Sequence, residues 1–351
     1  MKTYKELRKY IGQDFQVFGV RESRLVGGKQ DNVRIVDAKS GGGLEFTVVP
    51  SKGMDIADFS YKGINMSYLA KIGYVNPYFH VEDGRDGFDR TFMGGILTTC
   101  GFTHMGAPCV DDGRKLGLHG PLPNTPADDV VARVEYDQGD EPVIVCKGRM
   151  KQGQLTAEYI VSEREIRCKY GENKITITDR VMNRGYTKEP LMMLYHFNFG
   201  YPLLSEDTQL VLAEKEYEPR DEDTAKGKDR RFLFEAPGDG RPEECHFYKL
   251  RSEADGKTAV LVKNEKLGLA VVVRMNTEQV GYMTEWKCMY AGDYALGVNP
   301  GTYTPMGRVH AKEHGLLQYI EPEEVRPFDF ELEVLDSKEK IAEMEKYITS
   351  L

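Results

Sequence analysis

Hydrophobic residues recur at every second position over much of this chain. In KITITDRVMN, residues 174–183, Ile175, Ile177 and Val181 share one strand-like pattern. In DFELEVLD, residues 329–336, Phe330, Leu332 and Val334 do the same. REIRCKYGENKITITD predicts two strands joined by a turn at Gly171, Glu172 and Asn173. GLAVVVRM, residues 268–275, is a continuous apolar run, the pattern of a strand covered on both faces. Glycines (36) and prolines (16) punctuate the chain throughout, and many short strands between such breaks predict an all-β sandwich or barrel.

Helical periods are confined to the two ends. YKELRKYIG predicts a short helix over about residues 3–11, stopped by Gly12. Near residues 337–350, Ile341, Met344 and Ile348 recur at helical spacing after a cap at Asp336 or Ser337. Such a helix is expected to lie on the sheet surface or to cover an edge. A mixed charge run, EPRDEDTAKGKDRRF at 218–232, reads as a solvated loop inserted in one domain spanning 1–351.

Composition narrows the partners. The formal charge of -9 argues against a nucleic-acid backbone or an anionic membrane as the main partner. No run reaches the roughly 18 apolar residues of a membrane span, and MKTYKELRKYIGQDF lacks the apolar centre of a secretory leader. Six scattered cysteines without a CxxC pair predict free thiols and a cytoplasmic setting.

Several stretches depart from ordinary strands. Gly53 and Asp55 make a turn in VPSKGMDIADFSYKG, and Gly94, Gly95 and Gly101 surround Thr98, Thr99 and Cys100 in DRTFMGGILTTCGFTHMG. Glycines there allow close backbone approach, to a ligand or to another strand. His119 lies in the loop-like GLHGPLPNTPA, and His196 sits among apolar residues in LYHFNFGYPLL. Imidazole fills a core poorly and transfers protons readily near neutral pH. His80, His104, His246, His310 and His314 are weaker candidates, and the spacing of the last two lacks a supporting helical pattern or an acidic partner motif. Trp286, the only tryptophan, stands between Glu285 and Lys287. An aromatic face beside acids and amides suits a sugar, whose ring is apolar on its faces and polar at its edge. A buried core tryptophan is the competing reading.

Taken in order, GMDIAD, GGILTTCG, GLHGPLPNTPA, VMNRG with LYHFNFGYPLL, and GDYALGVNP resemble the galactose mutarotase-like (aldose 1-epimerase) superfamily, in its DUF4432 branch. The likeness runs from about Val49 to Val334. It implies a mostly antiparallel β-supersandwich with a concave sugar-binding face, consistent with the period of two. It further implies a small-molecule sugar as partner and a cofactor-free isomerase that opens and recloses the ring, present as a monomer or homodimer.

In the family's mutarotases one histidine stands between an aliphatic residue and glycine, matching His119. A second, the general acid, matches His196 downstream of Asn183. The family's glutamate base would fall in ALGVNP, where this chain has Asn299. An amide binds and orients a hydroxyl but does not take its proton as a carboxylate does. Glu285 is the nearest acid and the expected replacement, with Glu321 second. Arg90, Asn299, Trp286 and Asp55 are expected to hold substrate. A binding protein without turnover and a metal-dependent isomerase, drawing ligands from His80, His104, His119 and His196, are the alternative readings.

Overall fold

A computed structural model describes residues 2–136 and 141–351. The alternating segments form two large antiparallel sheets, one of eleven strands and one of eight, beside two small two-stranded ones. At the centre of the larger sheet, Leu97–Phe102, Met192–Phe199, Asp293–Gly301, Tyr282–Tyr290 and Glu244–Leu250 lie side by side in that order. The expected hairpin is present as Tyr159–Lys169 and Lys174–Asn183, neighbours in the smaller sheet beside Val325–Leu335.

Strand parity divides each sheet into two faces. Met193, Tyr195, Phe197 and Phe199 point to the smaller sheet and join the main core with Ile175, Ile177, Phe328 and Phe330. The rings of Tyr195 and Phe330 approach to 4.3 Å between centroids. Each such side chain taken out of water stabilises the sandwich by about 1.5–3 kcal/mol before entropy is counted.

Leu269–Asn276, the strand of the continuous apolar run, is buried on both faces. Val271 and Val273 enter the main core, while Ala270 and Val272 pack outside against Ile341 and Ile348 of the C-terminal helix. That helix spans Lys338–Ser350 and is capped by Ser337, whose hydroxyl accepts from the Lys340 amide. The N-terminal helix covers only Tyr4–Leu7, shorter than expected. Tyr4 and Leu7 pack on the core, but the residues beyond are largely exposed, and so short a segment persists only where packing holds it.

The charged run is not a plain solvated loop. It carries a helix, Glu222–Lys226, in which Asp221 accepts from the Thr224 amide at 2.8 Å and Thr224 is buried. His310 and His314 also turn out to be helical neighbours, at Arg308–Glu313 and its cap, with rings stacked 4.1 Å apart.

The glycines of the 89–106 stretch serve backbone approach between strands. Gly101 has φ +123°, and a Cβ there would lie 2.0 Å from the carbonyl oxygen of Met192. One at Gly95 would lie 2.6 Å from that of Ile56. Among the described residues no helix is long and apolar enough to cross a membrane.

Candidate active site

The opposite parity of the same central strands builds a cleft on the face turned away from the smaller sheet. Leu194 and His196, Thr284, Trp286 and Cys288, and Asn299 line it from three adjacent strands. Loops carrying Tyr68, Lys71, Phe92 and His119 wall a space of about 650 Å³, within the range of small-molecule sites.

His196 stands on the floor of this cleft. Its Nδ1 lies 2.5 Å from Oδ1 of Asn198, two residues along on the same strand face. Its ring meets those of Trp286 at 5.3 Å, His119 at 5.8 Å and Phe92 at 5.9 Å, all edge-on. Burial lowers His196 to about 4, against the opposing pull of the Asn198 hydrogen bond and of the Glu243 charge. The free protein at neutral pH therefore carries imidazole here, where an acid catalyst working alone would need imidazolium.

His119 is held by its backbone. The residue sits at φ +65°, a left-handed conformation uncommon for a side-chain-bearing residue and often found at functional sites. Its amide donates to Gly106 and its carbonyl accepts from Gly101, both at 2.9 Å. Buried His104 steadies the same loop by donating from Nε2 to the Gly117 carbonyl at 2.9 Å. Nδ1 of His119 is buried and makes no hydrogen bond. Burial holds His119 well below the usual histidine range, and the nearby His196, His104 and Arg85 add to the effect. Thr284 Oγ1 and Asn299 Oδ1, on facing residues of paired strands, are likewise buried without a partner.

One wall is charged but internally paired. Glu243 accepts from Arg85 at 3.2 Å, from Arg220 at 3.1 Å and from the Trp286 indole N–H at 3.0 Å. Burial alone would raise its carboxyl; Arg85, Trp286 and Arg220 outweigh that and hold it below the usual range. Across the cleft, Asp293 accepts from Lys71 at 2.6 Å and from the Tyr68 hydroxyl at 3.0 Å.

Of the residues singled out in the sequence, His119, His196, Trp286 and Asn299 meet in this cleft. Glu285 does not. It follows Thr284 and precedes Trp286, so parity sends it to the inner side of the sheet, where it is fully buried and accepts from Tyr248 at 2.8 Å. Burial raises its carboxyl to about 8, against the pull of Tyr248 and Lys287. Arg90 is also outside the cleft, 69% exposed at the end of the helix Gly84–Asp89 and paired with Asp86. Arg85, in the first turn of that helix, faces the cleft instead.

Asp55 lies between the sheets, where its Oδ1 accepts from Arg164 at 3.0 Å and from the Thr99 amide at 2.9 Å. Arg164 also clamps Asp179 at 2.8 and 2.6 Å and donates to Thr99 Oγ1 at 2.8 Å, while Tyr195 donates to Asp179 at 2.7 Å. Among the described residues, no three histidine, cysteine or acidic side chains are grouped to hold a metal ion.

Sequence reasoning missed Glu243, Arg85 and Lys71, which lie in segments without periodicity. Arg220 and Asp221 belong to the charge run read as solvated. Phe92 and Asp293 fell within stretches already quoted, DRTFMGGILTTCGFTHMG and GDYALGVNP, but neither was singled out.

Two large antiparallel sheets packed face to face make a galactose mutarotase-like sandwich fold. Within that class, the chain belongs to the DUF4432 family, a domain of unknown function whose model matches residues 30–334. No curated protein matches the sequence. A solved "putative aldose 1-epimerase" from Klebsiella pneumoniae is 23% identical, covers 94% of this chain and 86% of its own, and superposes with a TM-score of 0.89. A galactose mutarotase-like protein from Clostridium acetobutylicum is 14% identical over 92% of this chain and 99% of its own, with a TM-score of 0.64. Galactose 1-epimerase from Lactobacillus acidophilus is 12% identical over 91% and 99%, with a TM-score of 0.60. At these identities the likeness is one of fold.

Proposed function

We propose that the cleft binds a sugar and that the protein is an aldose 1-epimerase-like isomerase, exchanging anomers by opening and reclosing the ring. The observation that carries this reading is the pair of imidazoles, His119 and His196, 5.8 Å apart in a cleft beside the sole tryptophan. In ring opening the anomeric hydroxyl loses a proton, the bond from C1 to the ring oxygen breaks, and that oxygen gains a proton. Rotation about the C1–C2 bond and reclosure give the other anomer. Two acid–base groups at one end of a bound sugar meet that demand. Thr284 and Asn299 offer unpaired polar atoms to hydroxyls, and Trp286 offers an aromatic surface to the ring. Six free thiols suit work in the cytoplasm.

Asn299 stands where the resemblance places a carboxylate and Glu285 turns away, so in this reading proton transfer falls to the histidines. The same observation favours a second reading, recognition of a sugar without turnover. Saturation-transfer NMR of anomer exchange over a panel of aldoses separates the two. The first reading expects exchange faster than buffer, with His196→Ala reducing it by about 10²–10⁴-fold. Sugar-dependent thermal stabilisation without acceleration would leave recognition alone. Neither effect from any sugar, in folded protein, would remove both.

A further inference from the structure

We infer that Asn198 is a positioning residue that fixes His196 with its proton on Nδ1, leaving Nε2 as the proton acceptor of the cleft. The inference deepens the isomerase reading and rests on it for the word acceptor; the proton's location stands on the hydrogen bonds alone.

Asn198 is fully buried. Its amide nitrogen lies 2.9 Å from the carbonyl oxygen of Gly95 and 2.9 Å from that of His196. Two acceptors on one side settle which end of the amide is nitrogen, because a flipped side chain would press its oxygen against both carbonyls. Oδ1 therefore faces Nδ1 of His196, and an acceptor there requires a proton on that nitrogen. The neutral ring then carries its lone pair on Nε2.

His119 is biased the other way. A proton on its Nδ1 would be a buried donor without an acceptor, whereas a proton on Nε2 leaves only an unused lone pair inside. The loop histidine is thus a donor where the strand histidine is an acceptor. The charged and titratable groups around His196 are His119, from the loop, and Glu243, before the strand Glu244–Leu250. Glu243 is itself held by Arg85 and Arg220. Other side chains beside His196 are Trp286, Phe92 and, on the two flanking strands, Thr98 and Asn299, none of them charged.

This arrangement works without a carboxylate. His196 Nε2 takes the proton of the anomeric hydroxyl while the bond from C1 to the ring oxygen breaks and its electron pair moves to that oxygen. The Nε2–H of His119 stabilises the developing charge by a hydrogen bond, and the imidazolium of His196 returns its proton to the ring oxygen. No proton is gained or lost overall. An amide at 198 matters here, because a carboxylate would favour imidazolium before substrate arrives and remove the acceptor.

Long-range ¹H–¹⁵N spectra of histidine-labelled, sugar-free protein test the assignment without turnover. The expected result is a protonated Nδ1 and an unprotonated Nε2 for His196 at neutral pH, with the reverse for His119. A proton on Nε2 of His196 would overturn the inference even if the protein proves to be an isomerase. Conversely, a protein that turns over no sugar still yields the spectra, so the two failures are separable. In Asn198→Asp, His196 should titrate at least one pH unit higher, and the acid limb of anomer exchange should move with it. At pH 4.5 the variant is expected to lose about threefold more rate, relative to pH 8, than the parent. An unchanged profile in a folded Asn198→Asp would also overturn it; if that variant does not fold, the spectra of the parent protein decide.

Discussion

Tyr195 and His196 are consecutive residues of one strand, yet they serve two polar clusters of opposite character. Tyr195 reaches inward to Asp179 in a network centred on Arg164, in which one guanidinium bonds two carboxylates, a hydroxyl and the Gly53 carbonyl. Asp55 Oδ2 is the one side-chain oxygen of that network left unpaired. His196 reaches outward to a cleft where His119, Thr284 and Asn299 each keep a buried polar atom without a partner. A buried polar group is costly unless bonded. The inner cluster bonds all but one of its side-chain oxygens and ties the sheets together, while the outer one keeps three polar atoms free for the sugar of the proposed function. Burial alone does not separate the two clusters; the three unpaired atoms gathered on one cleft do.

The largest way to break the contrast is Arg164→Met, which leaves Asp55 and Asp179 facing an uncharged core. Removing one partner of a buried ion pair costs about 3–5 kcal/mol, read as a lower urea midpoint. Anomer exchange per folded molecule should change little. A stability loss below about 1 kcal/mol, as for a surface pair, would show that the network does not tie the sheets.

The clusters should also respond to pH with opposite signs. His196 and His104 are lowered to about 4 in the folded protein, so the unfolded chain takes up their protons first, near 6.5. Their contribution is whole above about 6.5 and is lost as pH falls through about 4, by about 3 kcal/mol for each. Asp55 is raised to about 7 by burial, against the pull of Arg164 and Thr99. Its contribution is whole below its unfolded value and is lost as pH rises through about 7. Urea midpoints between pH 4.5 and 8.5 check both signs. The two windows overlap between about pH 4 and 7, so over that range His196→Gln should tilt the midpoint profile toward loss with rising pH, and Asp55→Asn toward gain.

The smallest effect sharpens the comparison. Thr284→Val removes an unpaired buried hydroxyl, so stability should hold or rise by up to about 1 kcal/mol. Sugar affinity should fall about tenfold, or about 1.4 kcal/mol, by calorimetric titration. A loss of stability instead would mean that the hydroxyl is already satisfied within the protein.

Much of the fold was legible because a period of two survives in the strands that face one core. Leu269–Asn276 shows the limit. Its continuous apolar run correctly signals two covered faces, but the cover on one of them is the helix that packs through Ile341 and Ile348. Within the cleft, the residue types at 119, 196, 286 and 299 carried the signal. Glu285 was one position out of phase, since adjacent strand residues cannot both face a cleft that Trp286 faces. Arg85 was hidden because nothing periodic announces a helix of six residues at Gly84–Asp89. Glu243 was hidden more deeply. Its place depends on Arg85, Arg220 and Trp286 arriving from three separate parts of the chain.

Gly95 and Gly101 carry a consequence for mutational tolerance. Neither side of the cleft is lined by them, yet any side chain at either position would collide with backbone, at Ile56 or at Met192. A saturation screen scored by activity would rank them beside His196 as indispensable. Scored by yield of folded protein, the two kinds should part company, because the role proposed for His196 is in the cleft whereas a bare Cα at 101 spaces two strands. Intolerance at a position thus reports either the ligand or the spacing of strands, and only an assay of folding tells which.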